Sequence, residues 1–378
     1  MQMKTIPVSM SALLVALLVV LLSACGQQGQ SPQTGSTGQP ATTAAAPEKT
    51  YNWKMVTTWP PNFPIFQEGV ERFAEEVKTM SNGRLNIKVY AGGELVPPLQ
   101  TFDAVSQGTV ELGHGASYYW AGKIPAAQFF TTVPFGMSAQ GANAWLYGGG
   151  GLELYKEIYA PFNLVPFPMG NTGVQMGGWF NKKINSVDDL KGLKMRIPGL
   201  GGKVIAKAGG TPVLLPGGEI YTALDRGTID ATEWVGPFHD ERLGLYRAAK
   251  YYYYPGWHEP GTVLELIANK KAYESLPPDL QKIIETAAAA SSVWMLSQFE
   301  AKNLTALKQL KNEYKVEVLP FPDDVLKALH GYTNEVLEEE AAKDPTFKRV
   351  YDAYEAFMKD NDAWNELSEA AYQRARNL

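Results

Sequence analysis

From Tyr51 onward the chain alternates short apolar runs with amphipathic stretches, and that alternation leaves few folds open. Residues 53–57 alternate in polarity and are rich in β-formers, so they read as a strand. Pro60, Pro61 and Pro64 break the chain. Phe66 to Met80 then places Val70, Phe73, Ala74 and Val77 at helical spacing, with Ser81-Asn82-Gly83 as the stop. Residues 85–90 form a second strand, 99–107 a short helix closed by Gly108, and 110–113 a third strand that runs into residues 114–120. This order predicts a mostly parallel α/β sheet. Ligands of such sheets sit outside the carboxyl ends of the strands, which makes the 116–120 loop, with Tyr118 and Tyr119, one wall of a site.

After helices at 143–147 and 152–159, a second α/β unit follows, with strands at 164–167, 174–181, 194–197, 212–215 and 229–235. Helical turns at 187–191, 202–208 and 218–226 separate the later strands. Two such units predict two lobes with a cleft between them. A strand at 262–269 returns to the first lobe, and a helix from Pro277 to about Tyr314 is long enough to touch both. A strand at 316–319 and amphipathic helices at 323–342 and 344–376 complete the chain. The lobes are drawn as residues 51–165 plus 260–310 and 166–259 plus 311–345, leaving 346–378 as a C-terminal helix. That helix carries Phe347, Val350, Tyr351, Tyr354, Phe357 and Met358 on one stripe, which packs on its own lobes or on a partner subunit.

The N-terminus carries a different signal. Lys4 is the only charge before an apolar run at 13–22, and Ser23-Ala24-Cys25 follows. A basic start, an apolar core of this length and small residues at its end make a secretory segment, residues 1–24; the run is too short to span a bilayer stably. Leu22-Ser23-Ala24-Cys25 resembles the bacterial lipobox, in which the Cys becomes the lipidated mature N-terminus. Cys25 is the only Cys, so a disulfide within one chain and a structural thiolate–metal site are both excluded. Residues 26–50 are Gln, Gly, Ser, Thr, Pro and Ala with almost no large apolar side chain, and read as a flexible tether. The expected whole is a periplasmic globule held near a membrane and not embedded in it.

The formal net charge of -5 gives no footprint for nucleic acid. Nor does any catalytic pattern emerge. His114, His239, His258 and His330 include no pair at metal-ligand spacing on one helix, and no Ser lies in a G-x-S-x-G context. Gly199-Leu200-Gly201-Gly202-Lys203 fails the Walker pattern, and no G-x-G-x-x-G follows a strand. A secreted hydrolase therefore has no support from these patterns.

Binding has more. Arg196 stands at an expected strand end, where a guanidinium can hold a carboxylate through two parallel hydrogen bonds; spacing alone favours a structural ion pair or a surface position instead. Gln175 interrupts an apolar strand. Glu233 lies between Ala231 and Trp234 in a segment that reads as buried, so its carboxylate needs a partner, an Arg or a cation. The run Tyr251-Tyr252-Tyr253-Tyr254 fits a two-sided strand, and the Gly-flanked Trp257-His258-Glu259 beyond it does not.

Gly170-Asn171-Thr172-Gly173-Val174-Gln175-Met176-Gly177-Gly178-Trp179-Phe180, Lys194-Met195-Arg196-Ile197-Pro198-Gly199, Asp230-Ala231-Thr232-Glu233-Trp234 and Tyr254-Pro255-Gly256-Trp257 together resemble the substrate-binding component of a TRAP (tripartite, ATP-independent) transporter. The resemblance runs from about Tyr51 to the C-terminus and is nearest the members that take 2-oxo acids such as pyruvate, or lactate, through a bound metal. It implies a two-lobed periplasmic-binding-protein fold with long C-terminal helices. It implies that Arg196 binds the substrate carboxylate, and that Gln175 (side-chain oxygen), Glu233 (carboxylate) and Trp234 (backbone carbonyl) hold the metal. Glu259 becomes a candidate ligand for metal or substrate, and Tyr118 and Tyr119 close the far side. Oxygen-only ligands suit Na⁺ or Ca²⁺. The resemblance further implies a membrane permease partner and a homodimer built on an exchanged C-terminal helix, for which the Phe347–Met358 stripe is the candidate. A dicarboxylate, an aromatic acid or a polyol is the alternative ligand.

Overall fold

The computed structural model describes residues 49–378; the secretory segment, Cys25 and the tether up to residue 48 lie outside the described residues. Among the described residues, eleven strands form two sheets. The first contains β1 (Tyr51–Thr57), β2 (Leu85–Tyr90), β3 (Leu112–Gly115), β4 (Leu164–Asn171) and β10 (Val263–Asn269), in the order β2-β1-β3-β10-β4. The second contains β5 (Gly178–Phe180), β6 (Lys194–Arg196), β7 (Thr211–Val213), β8 (Ala231–Thr232), β9 (Tyr251–Tyr254) and β11 (Glu317–Pro320), in the order β11-β9-β5-β8-β6-β7. The fold is the expected α/β architecture of two lobes.

The local rules explain the first unit well. Helix Phe66–Met80 buries Phe66, Val70, Phe73, Ala74 and Val77 on one stripe. It ends where Gly83, at φ 76°, turns its N–H back to the Lys78 carbonyl at 2.8 Å. That turn sets β2 down parallel to β1.

The sheets are mixed, where mostly parallel pairing was expected. β10 runs antiparallel to both β3 and β4, and β5 antiparallel to both β8 and β9. The reason is the chain's path. β5 and β10 are the strands entered directly after the chain crosses between sheets, at residues 172–177 and 255–262. A chain arriving from the other lobe enters at the cleft edge and runs outward, against the βαβ strands that end there.

The strand expected at 174–181 is shorter for the same reason. Only Gly178–Phe180 pairs in the sheet, and Gln175 sits in the crossing segment beside an exposed Val174. The backbone there bonds outward instead: Gln175 N–H to Glu259 O at 3.1 Å, Met176 N–H to Val235 O at 2.9 Å, and Gly177 N–H to Tyr253 O at 2.8 Å.

A 35-residue helix, Pro278–Asn312, runs about 50 Å at ~1.5 Å per residue. Its buried stripe of Leu280, Ile284, Ala287, Ala288, Ser291, Met295 and Phe299 packs on β4 and on helix Phe66–Met80. Farther along, its Asn303 Oδ1 accepts the Phe238 N–H at 3.0 Å from the second lobe's helix Pro237–Leu243. One helix thus braces both lobes.

The C-terminal segment is two helices, Pro345–Leu367 and Glu369–Arg376, where one was expected. Part of its apolar stripe packs within the chain itself, one of the two arrangements expected of it. Phe347, Val350 and Tyr354 are buried within their own chain, Phe347 and Tyr354 against Phe129, and the Tyr354 hydroxyl accepts the Met137 N–H at 3.0 Å. The exposed apolar groups lie farther on, at Trp364, Leu367 and Tyr372. Among the described residues, no helix is long and apolar enough to cross a membrane.

Candidate functional site

Three neighbouring parallel strands, β7, β6 and β8, end at one edge and deliver Leu215, Arg196 and Glu233 together. Arg196 is the last residue of β6 and Glu233 follows β8, held by a backbone bond from Glu233 N–H to Arg196 O at 3.2 Å. The carboxyl ends of the strands therefore place a guanidinium and a carboxylate side by side.

Arg196 is 1% exposed. Its Nε donates to the Leu215 carbonyl at 3.1 Å, and Nη1 donates both to the Glu233 carbonyl at 3.3 Å and to Glu233 Oε1 in a direct ion pair. Nη2 reaches only the Tyr119 hydroxyl, at 3.5 Å. The guanidinium lies over the Trp234 ring at 5.4 Å, and Gly217 makes room for that indole: a Cβ there would come within 2.5 Å of it. A buried charge needs this density of partners.

The two crossing segments supply the rest. Gly256 donates its N–H to Gln175 O at 2.9 Å, so close that a Cβ at position 256 would stand 2.2 Å from that oxygen. This approach brings Gln175 and Glu259 together. Gln175 Nε2 donates to Glu259 Oε2 at 2.7 Å, Thr172 Oγ1 at 3.2 Å and Thr262 Oγ1 at 3.3 Å. Thr262 Oγ1 donates to the same Glu259 oxygen at 2.6 Å. With its nitrogen committed, the Gln175 amide turns its Oε1 elsewhere.

Gln175 Oε1 and Glu233 Oε2 are buried and have no hydrogen-bond partner. Both nitrogens of His258 are in the same condition, and His258 Nε2 stands 3.6 Å from Glu233 Oε2. One donor atom each from Glu233, His258 and Glu259 falls within 4.8 Å of the others. Buried oxygens left unmet by the protein are the form a cation site takes, so the residues fit a bound ion.

Burial governs the titration. It pushes the Glu233 carboxyl up to about 7 against the pull of Arg196, and the Glu259 carboxyl up to about 7 with help from the negative charge of Glu233. It pulls His258 down to about 4, so the ring is neutral at pH 7. Burial opposes the charge of Arg196 as well, yet Glu233 and the neighbouring Tyr119 and Tyr118 hold its pKa above the ordinary value.

Tyr118 and Tyr119 stand on a short turn, Ser117–Trp120, from the first lobe, and line the site with Trp59, Phe66, Thr172 and Trp234. The cavity these groups enclose is about 10 Å³, room for roughly one water.

Every residue singled out from the sequence in the folded part, Tyr118, Tyr119, Gln175, Arg196, Glu233, Trp234 and Glu259, lies at this one locus. Four that matter were not singled out as site residues: His258, Thr172, Thr262 and Asp240. Asp240 accepts from Trp179 Nε1 at 3.0 Å, Tyr252 Oη at 2.7 Å, and the Val235 and Gly236 N–H groups at 3.1 Å each, which pins the backbone after Trp234. The sequence signals for them were the Trp257-His258-Glu259 run in a loop and the motif from Gly170 to Phe180 that contains Thr172.

Comparison with known proteins gives the following. The family model for bacterial extracellular solute-binding protein, family 7, matches residues 55–344. A monocarboxylate 2-oxoacid-binding periplasmic protein of Nostoc sp. is 51% identical over 321 residues, 85% of this chain and 88% of the relative. Among solved structures, a TRAP periplasmic solute-binding protein of Colwellia psychrerythraea with bound calcium and pyruvate is 50% identical, with a TM-score of 0.84 over 86% of this chain and 100% of that one. One from Pseudoalteromonas atlantica with bound sodium and pyruvate is 48% identical, with a TM-score of 0.84 over 86% and 99%.

Proposed function

The chain belongs to the bacterial extracellular solute-binding proteins of family 7, the receptors of TRAP transporters, and on that premise we propose that it captures a small 2-oxo or 2-hydroxy monocarboxylate of the pyruvate or lactate type. Three relatives support that ligand class: the Nostoc protein is named for 2-oxo acids, and the two solved relatives hold pyruvate. The observation that carries the reading here is a buried guanidinium with one amino group left to a tyrosine at 3.5 Å, next to two buried oxygens that no protein donor meets.

Arg196 binds the ligand carboxylate through the nitrogen that faces Tyr119. Gln175 Oε1, Glu233 Oε2 and the Trp234 carbonyl hold a sodium or calcium ion, with Glu259 as a further donor. A bound ion would supply positive charge beside Arg196 for an anionic, oxygen-rich ligand. Tyr118 and Tyr119 wall off water, which strengthens every charged contact inside. Charge balance selects the ion. Arg196 offsets the ligand; Glu233 alone then calls for Na⁺, and Glu233 with an ionised Glu259 calls for a divalent ion.

Lobe closure over the ligand and delivery to the membrane permease is the whole of the activity; no turnover is part of it. Cys25 carries the lipid anchor and residues 26–50 the tether, in the periplasm. A homodimer forms through the C-terminal helices, where Trp364, Leu367 and Tyr372 are exposed. Light scattering of wild type against Trp364→Glu reads it; equal masses remove that element.

The central test is calorimetry on chelator-stripped protein. Pyruvate binds weakly until Na⁺ or Ca²⁺ is restored, and mannitol, succinate and benzoate give no comparable heat. Pyruvate binding that stripping leaves unchanged removes the ion from the reading.

A further inference from the structure

His258 stands at the site, and neither the family resemblance nor the proposed chemistry uses it. It follows Trp257 in the crossing segment and is 1% exposed. Neither ring nitrogen has a hydrogen-bond partner. Burying an imidazole in that way is costly, and the other buried imidazoles avoid it wholly or in part. His114 accepts from Trp59 Nε1 at 2.7 Å and meets the Met169 carbonyl at 2.9 Å, so both its nitrogens are used. His239 engages the Pro64 carbonyl at 2.7 Å.

What His258 faces decides its role. Its Nε2 is 3.6 Å from Glu233 Oε2, an equally unmet atom, and donor atoms of Glu233, His258 and Glu259 lie within 4.8 Å of one another. Two donors bound to one divalent ion at ~2.0–2.2 Å stand roughly 3–4 Å apart. The 3.6 Å between His258 Nε2 and Glu233 Oε2 falls in that range. A site of oxygen atoms alone selects hard ions; one imidazole nitrogen changes that preference toward borderline ions.

We propose that His258 is a nitrogen ligand of this site, and that Glu233, His258 and Glu259 with Gln175 Oε1 therefore bind a borderline divalent ion of the Zn²⁺ and Co²⁺ class in addition to the hard ions. This rests on the reading of Gln175, Glu233 and Glu259 as ion ligands. It makes the receptor sensitive to which divalent ion its surroundings supply, because the ion that stitches the ligand in place differs in charge density and geometry.

The test uses the full chain with His330→Gln, which removes the exposed imidazole. Chelator-stripped protein is titrated with Co²⁺, followed by its visible absorption, and in parallel with Ca²⁺ by calorimetry. Co²⁺ binds at one equivalent with ligand-field bands of a nitrogen-containing site, and His258→Gln lowers Co²⁺ affinity at least about tenfold more than it lowers Ca²⁺ affinity. Pulsed EPR of the Cu²⁺-loaded protein, without the His258 change, shows ¹⁴N modulation from a bound imidazole, which keeps the test valid should His258→Gln fold poorly. Equal loss of Co²⁺ and Ca²⁺ affinity, or no imidazole modulation, overturns the proposal. If Ca²⁺ with pyruvate binds and Co²⁺ does not, this inference alone fails. If neither Na⁺ nor Ca²⁺ supports pyruvate binding, the underlying assignment of the ion ligands fails instead.

Discussion

Glu265 and Glu233 are both fully buried carboxylates, one in each lobe, and they are finished in opposite ways. Glu265, on β10, accepts from Ser117 Oγ at 2.8 Å and Tyr159 Oη at 2.9 Å, and from Tyr155 Oη and Trp120 Nε1 at shorter range. Both of its oxygens are spent, on neutral donors from its own lobe. Glu233 spends Oε1 on Arg196 and leaves Oε2 unmet. Burial raises both carboxyls. The two therefore differ neither in depth nor in the direction of the shift, but in whether the protein has used up the carboxylate's lone pairs.

The sharpest way to break that contrast is Arg196→Met. It leaves Glu233 buried without its cation, so folding stability falls by about 3–5 kcal/mol, and pyruvate affinity falls at least about a hundredfold. Denaturant unfolding and calorimetry read the two losses. Undiminished affinity would remove Arg196 from ligand binding.

Glu265→Gln attacks the other side. An amide presents its NH₂ to donors that faced an oxygen, so stability drops by about 2–4 kcal/mol. Pyruvate affinity changes far less than in Arg196→Met, through small shifts of the turn that carries Tyr118 and Tyr119. Should the two variants lose affinity equally, the division between structural and binding carboxylates collapses.

A pH series gives the smallest effect and refines the comparison. The Glu233 and Glu259 carboxyls stand at about 7 in the folded chain against an ordinary value of 4.5. Between those values the folded state holds more protons than the unfolded one. This pair's contribution to stability is therefore full below pH 4.5, declines as pH rises through the window and is gone above about 7. A bound cation favours the ionised forms and reverses the trend. The rise in melting temperature given by Ca²⁺ with pyruvate is thus larger at about pH 8 than at about pH 6. A rise independent of pH would show that neither carboxyl meets the ion.

Much of this was legible in the residues. Helix Phe66–Met80 and strand Leu85–Tyr90 were read to the residue, because their signals are local: a 3.6-residue apolar period, an Ser-Asn-Gly stop, a β-rich alternation. Arg196, at the end of β6, could be placed by the same logic. Gln175 was read as a strand residue and is not one, because its backbone partners, Glu259 and Gly256, are about eighty residues away in the chain. His258 escaped because no local spacing marks a loop imidazole whose neighbour, Glu233, comes from another strand.

By itself, then, the order of amino acids settles the periodic elements, the two-unit plan and the presence of a few polar groups in apolar settings, since each depends on neighbours within a turn or a strand. Which of those groups meet, which lone pairs remain unused, and that β5 and β10 run against their sheets were decided only when the chain crossed between lobes and set distant segments against each other. Those outcomes depend on contacts that exist only in three dimensions, and one unmet oxygen on Glu233 has no counterpart in a string of letters.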